Sequence, residues 1–431
     1  MTSCLAGLAA AVALLATPAM AAPFEDSGLD AIAKDFVRLT LEAGEREPGY
    51  VDAYYGPQDL ADAAKAAPRE IPALRQEADR LAAALAAMDA KTLTPDEARR
   101  RAFLQGQVKA AQTRLAMMAG EKFDFQTEAQ GLFGVRPPLK PLSAYDPILA
   151  KIDKLAPGKG ELGPRVDAFN ARYVIPADRL KPVMEAAIAE CKARTQAHIA
   201  LPKNERFDLS FVTKKPWGGY NWYKGDAHSL IEVNTDLPIP ISRAVNLGCH
   251  EGYPGHHVLN ALLEEHLTKG KGWIEFSVYP LYSPQSLIAE GSANYGVTLA
   301  FPGPEKLAFE RRVLYPLAGL DPATAAAYDA VATATADLAS AQNTIAAAYL
   351  SGKMDKETAI ANLSKYGLSS RAKAEKSLSF IEGYRSYVIN YNLGQDMVRA
   401  HVERAGPSQD ARWKRMEAVI SQPTTPADLA K

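Results

Sequence analysis

The chain contains little cysteine and no excess of either charge. Three cysteines in 431 residues exclude a disulfide scaffold, because a chain this long with at most one bridge must fold around a hydrophobic core. Lys and Arg number 49 against 50 Asp and Glu, and the net charge is −1. That balance provides no positive field for nucleic acid or for an anionic membrane. We therefore expect a globular protein with no nucleic-acid partner.

Long apolar runs are also scarce, and the one at the N-terminus is short. Residues 5–16 are apolar or small, and Ala19-Met20-Ala21 then has the small-residue pattern of a signal-peptide cleavage site. No basic residue precedes Lys34, which is atypical of a signal. The alternative is an uncleaved anchor, but the run is shorter than the roughly 20 residues that a membrane span needs. We predict a signal peptide at 1–21, an exported (periplasmic or secreted) protein, and no membrane span after signal removal.

Removal of the signal leaves two cysteines, Cys191 and Cys249. Cys249 directly precedes His250, which suggests a metal ligand. Adjacent residues on a helix point about 100° apart, however, so joint ligation at these two positions is disfavoured. We predict that both cysteines are small buried residues, and the sequence leaves open whether they pair.

Most of the sequence has the apolar periodicity of helices. Helical patterns cover 28–43, 69–88, 95–119, 178–199, 324–350, 355–366, 369–379 and 380–404. The Pro- and Gly-containing segment 134–141 cannot continue a helix and is typical of a linker. We predict a mainly α fold with an N-terminal helical region at 22–133 and a second helical region at 134–431.

One region departs from the helical pattern. Residues 217–233 are rich in aromatic and β-branched side chains, with Lys224-Gly225-Asp226 in the middle, which predicts a strand, a turn and a strand. Pro238 and Pro240 follow, and a helix is expected to begin near Ser242. The exposed edge of this antiparallel hairpin could bind an extended peptide. Alternatively, its aromatic side chains simply pack.

Three of the seven histidines fall within His250–His257, which reads His-Glu-Gly-Tyr-Pro-Gly-His-His. The common zinc-peptidase helix has His-Glu-x-x-His, with two His ligands and a Glu base. Here Pro254 interrupts that pattern. On a straight helix six residues rotate by about 600°, which leaves His256 about 120° away from His250. Seven residues rotate by about 700°, which returns His257 to the same face but about 10 Å along the axis. A bulge at Pro254-Gly255 would bring His256 to the second ligand position. We predict His250 and His256 as ligands, with His257 as the alternative ligand or as a supporting or substrate-facing residue.

The third ligand is expected to be a carboxylate from another helix. Glu290 is the lone acid in the apolar segment 287–295, where an unpaired carboxylate would be costly to bury. A capping or salt-bridge role is the alternative. Glu264 and Glu265 lie in a charged run and are predicted to be solvated. Glu251 beside the metal has the position of a general base. Two imidazoles and one carboxylate predict one Zn²⁺, although Fe(II) accepts the same donors.

The segment 250–257, followed by Ala-Glu-Gly-Ser-Ala at 289–293, resembles a bacterial family known as domain of unknown function 885. The resemblance extends to 48–57 and 385–391, and so covers most of the mature chain. It implies a zincin-like helical metallopeptidase fold similar to that of helical carboxypeptidases and oligopeptidases. It also implies zinc at His250, His256 and Glu290, with Glu251 as the base. Many relatives carry an aromatic residue in place of Ser292, which bears on the substrate pocket rather than on the metal.

A late helix carries the remaining candidates for catalysis. A Tyr hydroxyl there could stabilise the oxyanion, and Arg385 could hold a substrate carboxylate. Tyr384, Tyr387 and Tyr391 share one helix face, which a packed core face would also do. We predict Tyr384, Arg385 and Tyr387 as catalytic side chains.

The supporting positions and the overall function follow from these predictions. Tyr391, Tyr220 and His257 are expected to contact the substrate or to support the ligands. The function predicted is that of an exported zinc metallopeptidase with a peptide substrate, of carboxypeptidase, dipeptidase or oligopeptidase type. The alternatives are a zinc-dependent amidase or esterase acting on a non-peptide substrate, and a non-catalytic zinc- or peptide-binding protein. Glu251 argues against the last of these, since a binding protein has no use for a base beside the metal.

Overall fold

The computed structural model describes residues 28–215 and 217–431, so the predicted signal peptide at 1–21 lies outside the described residues. The predicted mainly helical fold is confirmed. The helices are α1 Leu29–Arg46, α2 Gln58–Ala66, α3 Ile71–Ala87, α4 Pro95–Met118, α5 Phe125–Phe133, α6 Asp146–Leu155, α7 Leu162–Ala171, α8 Leu180–Gln196, α9 Ser242–Leu247, α10 His256–Leu263, α11 Pro284–Ala300, α12 Glu305–Phe309, α13 Tyr315–Ala318, α14 Ala325–Ala336, α15 Ala341–Leu350, α16 Lys356–Gly367, α17 Arg371–Tyr384, α18 Ile389–Glu403, α19 Gln409–Ser421 and α20 Pro426–Ala430. Across the described ranges, none of these helices is both long and apolar enough to cross a membrane.

The N-terminal helices form the packed group that the amphipathic patterns predict. α1 buries one apolar face, and α3 and α4 pack against it and against each other. The loop between them ends in a capping box, in which Thr94 N donates to the Glu97 carboxylate (2.8 Å) and Glu97 N donates to the Thr94 hydroxyl (3.3 Å). Capping of this kind satisfies backbone groups that the first turn leaves free, so it defines where α4 begins.

Five strands form two small sheets: β1 Val51–Tyr54, β2 Arg206–Val212, β3 Gly219–Tyr223, β4 His228–Asn234 and β5 Val278–Pro280. The predicted hairpin is present as the antiparallel pair β3–β4, and β2 adds to the other side of β4 in parallel. The short strands β1 and β5 pair with each other. β2 was not predicted from the sequence, although its alternating Phe207, Leu209 and Phe211 carry the signal of a strand.

The register of the hairpin leaves one edge of β3 free. Asn234 N donates to Gly218 O (2.9 Å), and Lys224 N donates to His228 O (2.8 Å). In an antiparallel pair only alternate residues bond to the partner strand, so the even-numbered residues of β3 face β4. The backbone groups of Gly219 and Asn221 therefore point to the opposite edge, which lines a large cleft.

Two close contacts hold together the helices that form this cleft. Cys191 and Cys249 are fully buried, as predicted, and a disulfide joins them. This bond links α8 to the π-helical turn Gly248–Gly252 that follows α9. α11 packs so closely on α18 that a Cβ added to Gly291 would lie 2.4 Å from the Gly394 carbonyl carbon. Only glycine permits that approach, which brings Glu290 next to the turn between α17 and α18.

Three expectations about local structure are corrected. The stretch 324–350 is two helices, α14 and α15, rather than one. The break predicted near 379 lies later, because Arg385 has a positive φ of 53° and begins a 3₁₀ turn that ends at Val388. Glu264 is buried rather than solvated, since its carboxylate accepts hydrogen bonds from the Tyr223 hydroxyl and from backbone N–H groups of the β3–β4 turn.

Candidate metal centre

The helical run that carries His250 breaks at the predicted position. α9 continues into the π-helical turn Gly248–Gly252, the chain bends through Tyr253–Gly255 with a cis peptide bond before Pro254, and α10 begins at His256. A Cβ added to Gly255 would lie 1.7 Å from the His250 carbonyl oxygen. The backbone of Gly255 therefore packs directly on that carbonyl. The bend brings His256 back toward His250.

Three side-chain atoms converge beside this bend. His250 Nε2 lies 3.1 Å from His256 Nε2 and 3.2 Å from Glu290 Oε2, and His256 Nε2 lies 3.7 Å from the same carboxylate oxygen. Tetrahedral zinc with bonds of 2.0–2.1 Å separates its ligand atoms by about 3.4 Å. These three residues are the one group of potential metal donors within the described ranges. Their separations match a zinc site.

Hydrogen bonding around the three atoms also fits a cation. Glu290 Oε2 is buried and accepts no hydrogen bond within the described residues. His250 Nδ1 donates to Asn294 Oδ1 (2.9 Å), so the lone pair of His250 Nε2 points to the centre. The Asn294 amide is itself oriented by donating to the Tyr391 carbonyl oxygen (2.8 Å). Lone pairs that face each other at this distance need a proton or a metal ion between them. The residues present fit the zinc that the donor set implies.

The local charge also favours a cation. Burial alone would lower the pKa of His256, but Glu290, Glu251 and Asp52 outweigh it and raise the pKa of His256 to about 9. Burial alone would raise the pKa of Glu290, but the adjacent imidazoles of His250 and His256 hold it well below its ordinary value. The centre is therefore an electronegative pocket that attracts positive charge.

Asn294 is expected to tune metal affinity through His250. Asn294→Ala removes the acceptor that orients the imidazole, so zinc affinity should fall by about 10- to 100-fold. Competition with a chromophoric chelator would measure the change. Asn294→Asp retains an acceptor and is the matched control, expected to bind at least as tightly as the natural residue. Equal affinity of the alanine variant and the natural chain would contradict this role.

Glu251 lies between the three converging side chains and the free edge of β3. Its side chain is 5% exposed, and its carbonyl oxygen accepts a hydrogen bond from Asn221 Nδ2 (2.8 Å). A Cβ added to Gly219 would lie 2.9 Å from Glu251 Oε1. The carboxylate therefore lies against the β3 backbone, where an added strand would pass.

The predicted tyrosines occupy different positions around the centre. Tyr387 donates to Glu290 Oε1 (2.8 Å), which leaves Oε2 of that carboxylate for the centre. Tyr384 and Tyr391 both line the cleft. Burial raises the pKa of Tyr391 well above its ordinary value, so its hydroxyl stays protonated and can donate. Tyr387 thus orients the Glu290 carboxylate, whereas the side chains of Tyr384 and Tyr391 face the cleft.

Arg385 does not lie in the cleft, and its predicted role as a carboxylate clamp is corrected. Its Nε and Nη2 contact Glu128 Oε2 at 2.8 and 2.7 Å. The other Glu128 oxygen accepts from the backbone N–H (3.1 Å) and hydroxyl (2.7 Å) of Ser386. Because Glu128 is completely buried, losing Arg385 would leave an unpaired charge in the core. The guanidinium holds the turn that presents Tyr387.

His257 points away from the three converging atoms. Its ring is 1% exposed, with Nδ1 2.8 Å from the Ser229 hydroxyl and Nε2 3.1 Å from Glu205 Oε2. Both nitrogens are therefore occupied in a buried network that joins α10 to β4. Of the two alternatives, the structure brings His256 to the centre and gives His257 a supporting position.

The same network makes Glu205 a source of pH-dependent stability. Besides His257, its carboxylate contacts Lys192 Nζ and the Tyr253 hydroxyl, both at 2.5 Å. Burial alone would raise the pKa of Glu205, but these three partners lower it from 4.5 to about 2. A lowered native-state pKa stabilises the fold above the unfolded value, and that contribution is lost as the pH falls from 4.5 toward 2.

We therefore expect Glu205→Gln to flatten the acid limb of the stability curve. Urea unfolding at several pH values would show a smaller loss of unfolding free energy between pH 5 and pH 2 than in the natural chain. Glu185→Gln, in an exposed pair with Lys181, is the control and should leave the slope unchanged. An unaltered slope in the Glu205 variant would contradict the assignment.

The cleft around the centre has a volume of about 1330 Å³ and is lined by some residues that were not predicted from the sequence. Asp52 accepts a hydrogen bond from the Tyr220 hydroxyl, and burial raises the pKa of Asp52 to about 6. Tyr220 thus lies beside the centre, on the wall formed by β3. Asp52 falls in the segment 48–57 that carries the family resemblance, a signal that could have identified it. Arg243, the second residue of α9, also lines the cleft.

No family model matches the chain, and no curated protein does either, so the resemblance to domain of unknown function 885 stays a prediction. Among solved structures, a candidate lipoprotein from Colwellia psychrerythraea is 16% identical and has a TM-score of 0.52, with 92% of this chain and 74% of that chain covered. A candidate lipoprotein of unknown function from Shewanella oneidensis is 12% identical, with a TM-score of 0.49 and coverage of 94% and 88%.

A third similar structure is the M32 carboxypeptidase from Deinococcus radiodurans R1, which is 12% identical, with a TM-score of 0.47 and coverage of 93% and 92%. At these identities the likeness concerns the fold and not the activity. The chain shares its helical fold with the Colwellia protein.

Proposed function

We propose that the protein is an exported zinc-dependent metallopeptidase. One zinc ion would be held by His250, His256 and Glu290. The observation that carries the proposal is the convergence of these three donor atoms around a buried carboxylate oxygen that accepts no hydrogen bond within the described residues. When bound, zinc supplies a Lewis acid that polarises the scissile carbonyl and acidifies a water molecule.

The side chains around the ion supply the proton transfers. Glu251 accepts a proton from the attacking water, whose oxygen forms a bond to the carbonyl carbon. The C–N bond then breaks, and the amine leaves with the proton that Glu251 returns. Tyr384 and Tyr391 line the same cleft and are the candidate donors to the oxyanion. Tyr387 keeps Glu290 oriented throughout.

The free edge of β3 favours a peptide over a small amide or ester. Gly219 and Asn221 direct their backbone groups into the cleft, so an extended peptide can add to the sheet as a further strand. The cleft volume of about 1330 Å³ exceeds the 300–1,000 Å³ that is typical of small-molecule sites. Trp217, Tyr220 and Trp222 pack in a row along this wall and offer apolar surface to alternate side chains.

Export is supported by two observations. The sequence begins with a segment that has the pattern of a signal peptide. Independently, Cys191 and Cys249 form a disulfide, a bond that persists mainly in oxidising compartments such as the periplasm or the extracellular space. We therefore place the proposed activity outside the cytoplasm.

Metal analysis together with a peptide digest tests the proposal. The purified mature protein should contain one zinc per chain, lose activity in a strong chelator and regain it with zinc. A digest of peptides of graded length should show zinc-dependent cleavage. A chain without stoichiometric metal would overturn the proposal. Zinc-dependent cleavage of amides or esters but of no peptide would replace it with the alternative hydrolase activity.

A further inference from the structure

Among the described residues, one arginine in the cleft has no carboxylate partner. Five cationic side chains line the cleft: Arg114, Arg243, Lys306, Lys376 and Arg399. Three of them form ion pairs: Arg114 with Glu47, Lys306 with Glu310 (2.5 Å) and Arg399 with Asp396 (3.6 Å). Arg243 and Lys376 have no carboxylate within ion-pair distance in the described part of the chain. A substrate anion is the natural partner for such a cation.

The position of Arg243 relates it directly to the metal centre. It is the second residue of α9, which continues into the turn that carries His250. Both side chains line the same cleft. The Arg243 side chain is open to the cleft, but surrounding protein lowers the pKa of its guanidinium. An arginine nevertheless remains charged at neutral pH.

The guanidinium also lies at the beginning of the free β3 edge. A Cβ added to Gly218 would lie 3.7 Å from Arg243 Nη2, while one added to the next residue, Gly219, would lie 2.9 Å from Glu251 Oε1. The cation and the proposed base therefore flank consecutive residues of the same edge. A peptide paired antiparallel with β3 runs toward the beginning of that strand, so its C-terminal end arrives at Gly218. One or two extended residues, at about 3.3–3.6 Å each, span the distance from the base beside Gly219 to the guanidinium beside Gly218.

We propose that Arg243 binds the free C-terminal carboxylate of the peptide substrate, so that the enzyme removes one or two residues from that end. This rests on the proposed peptidase function and specifies its substrate class. A guanidinium binds a carboxylate through two parallel hydrogen bonds, which also fixes the orientation of the peptide. Arg385 cannot serve, because Glu128 already occupies its guanidinium.

Matched peptides that differ only at the C-terminus test the inference. The zinc-loaded Glu251→Gln protein should bind a short peptide acid about 10- to 100-fold more tightly than the same peptide with a C-terminal amide, measured by calorimetry. Arg243→Ala in that background should abolish the preference, and Arg243→Lys should keep part of it. Lys376→Ala, which removes the other unpaired cation of the cleft, is the matched control and should keep the full preference.

Hydrolysis by the protein with Glu251 intact gives the second readout. It should release single residues or dipeptides from the C-terminus of peptide acids, and should cleave the amides about 10- to 100-fold more slowly. Equal binding and equal cleavage of acid and amide would overturn the carboxylate site while leaving the peptidase proposal standing. Loss of the preference in Lys376→Ala instead of Arg243→Ala would also overturn it. Failure to hydrolyse any peptide would overturn the peptidase function, while the binding ratio would still report on Arg243.

Discussion

Replacing Glu251 with Gln is expected to lower kcat for peptide hydrolysis by about 10²- to 10⁴-fold while zinc stays bound at one ion per chain. The amide has nearly the shape of the carboxylate but cannot accept the proton of the attacking water. Glu251 is not among the three converging donor atoms, so its loss should spare the metal. The backbone contact from Asn221 should survive too, because it reaches the carbonyl oxygen of residue 251 rather than its side chain.

Kinetics and metal analysis on the same preparation would measure this outcome. Glu185→Gln, an exposed position on α8, provides the control for purification and assay and should behave like the natural chain. A Glu251→Gln protein that holds zinc and hydrolyses peptides at the natural rate would exclude Glu251 as the base. A variant that loses zinc as well would show that Glu251 contributes to the metal site itself.

The second large effect is expected at His256, with the neighbouring His257 as its matched control. His256→Ala removes one of three donor atoms that lie within 4.8 Å of one another. Zinc affinity should fall by more than about 100-fold, since even the loss of a partner behind a ligand costs 10- to 100-fold. Activity should become undetectable when zinc is supplied in stoichiometric amount. Metal content after dialysis and competition with a chelator would measure the loss.

His257→Ala, in contrast, should lower the stability of the fold and leave zinc binding intact. Its ring lies in the buried network with Ser229 and Glu205, so the variant leaves polar groups unpaired. We expect the free energy of unfolding to fall by about 1–3 kcal/mol, measured by urea unfolding, with zinc still bound at one ion per chain. Retention of zinc by His256→Ala together with its loss in His257→Ala would reverse the assignment of the two neighbouring histidines.

Features that depend on a few neighbouring residues could be predicted from the sequence. Amphipathic periodicity predicted α1, helix-favouring composition predicted α3 and α4, and the aromatic segment with its Gly-containing turn predicted the β3–β4 hairpin. The bend at Pro254-Gly255 is equally local, because a proline cannot donate to the carbonyl four residues earlier and Gly255 packs on that carbonyl. The spacing of the histidines predicted His250 and His256, and Glu290 was predicted because it is the lone acid of an apolar segment. The structure brings the three side chains together. Their roles stay predictions.

Features that depend on long-range pairing were missed or wrong. Arg385 appeared free for substrate, yet its partner Glu128 lies 257 residues earlier in the chain. Glu264 lies in a charged run, but the turn between β3 and β4 folds over it and supplies two backbone N–H donors, and Tyr223 at the end of β3 adds its hydroxyl. No periodicity or spacing rule relates residues so far apart, so neither pairing was visible in the sequence.

The sequence by itself determined a helical protein, one hairpin, a broken histidine segment and a lone glutamate suited to a metal, because each depends on bonding within one or two turns of chain. Tertiary structure decided which histidine reaches the centre, which tyrosine orients Glu290 and which arginine lines the cleft. Those outcomes depend on how α9, α11 and α18 pack. The close contact of Gly291 with Gly394 and the disulfide from α8 establish that packing across the length of the chain.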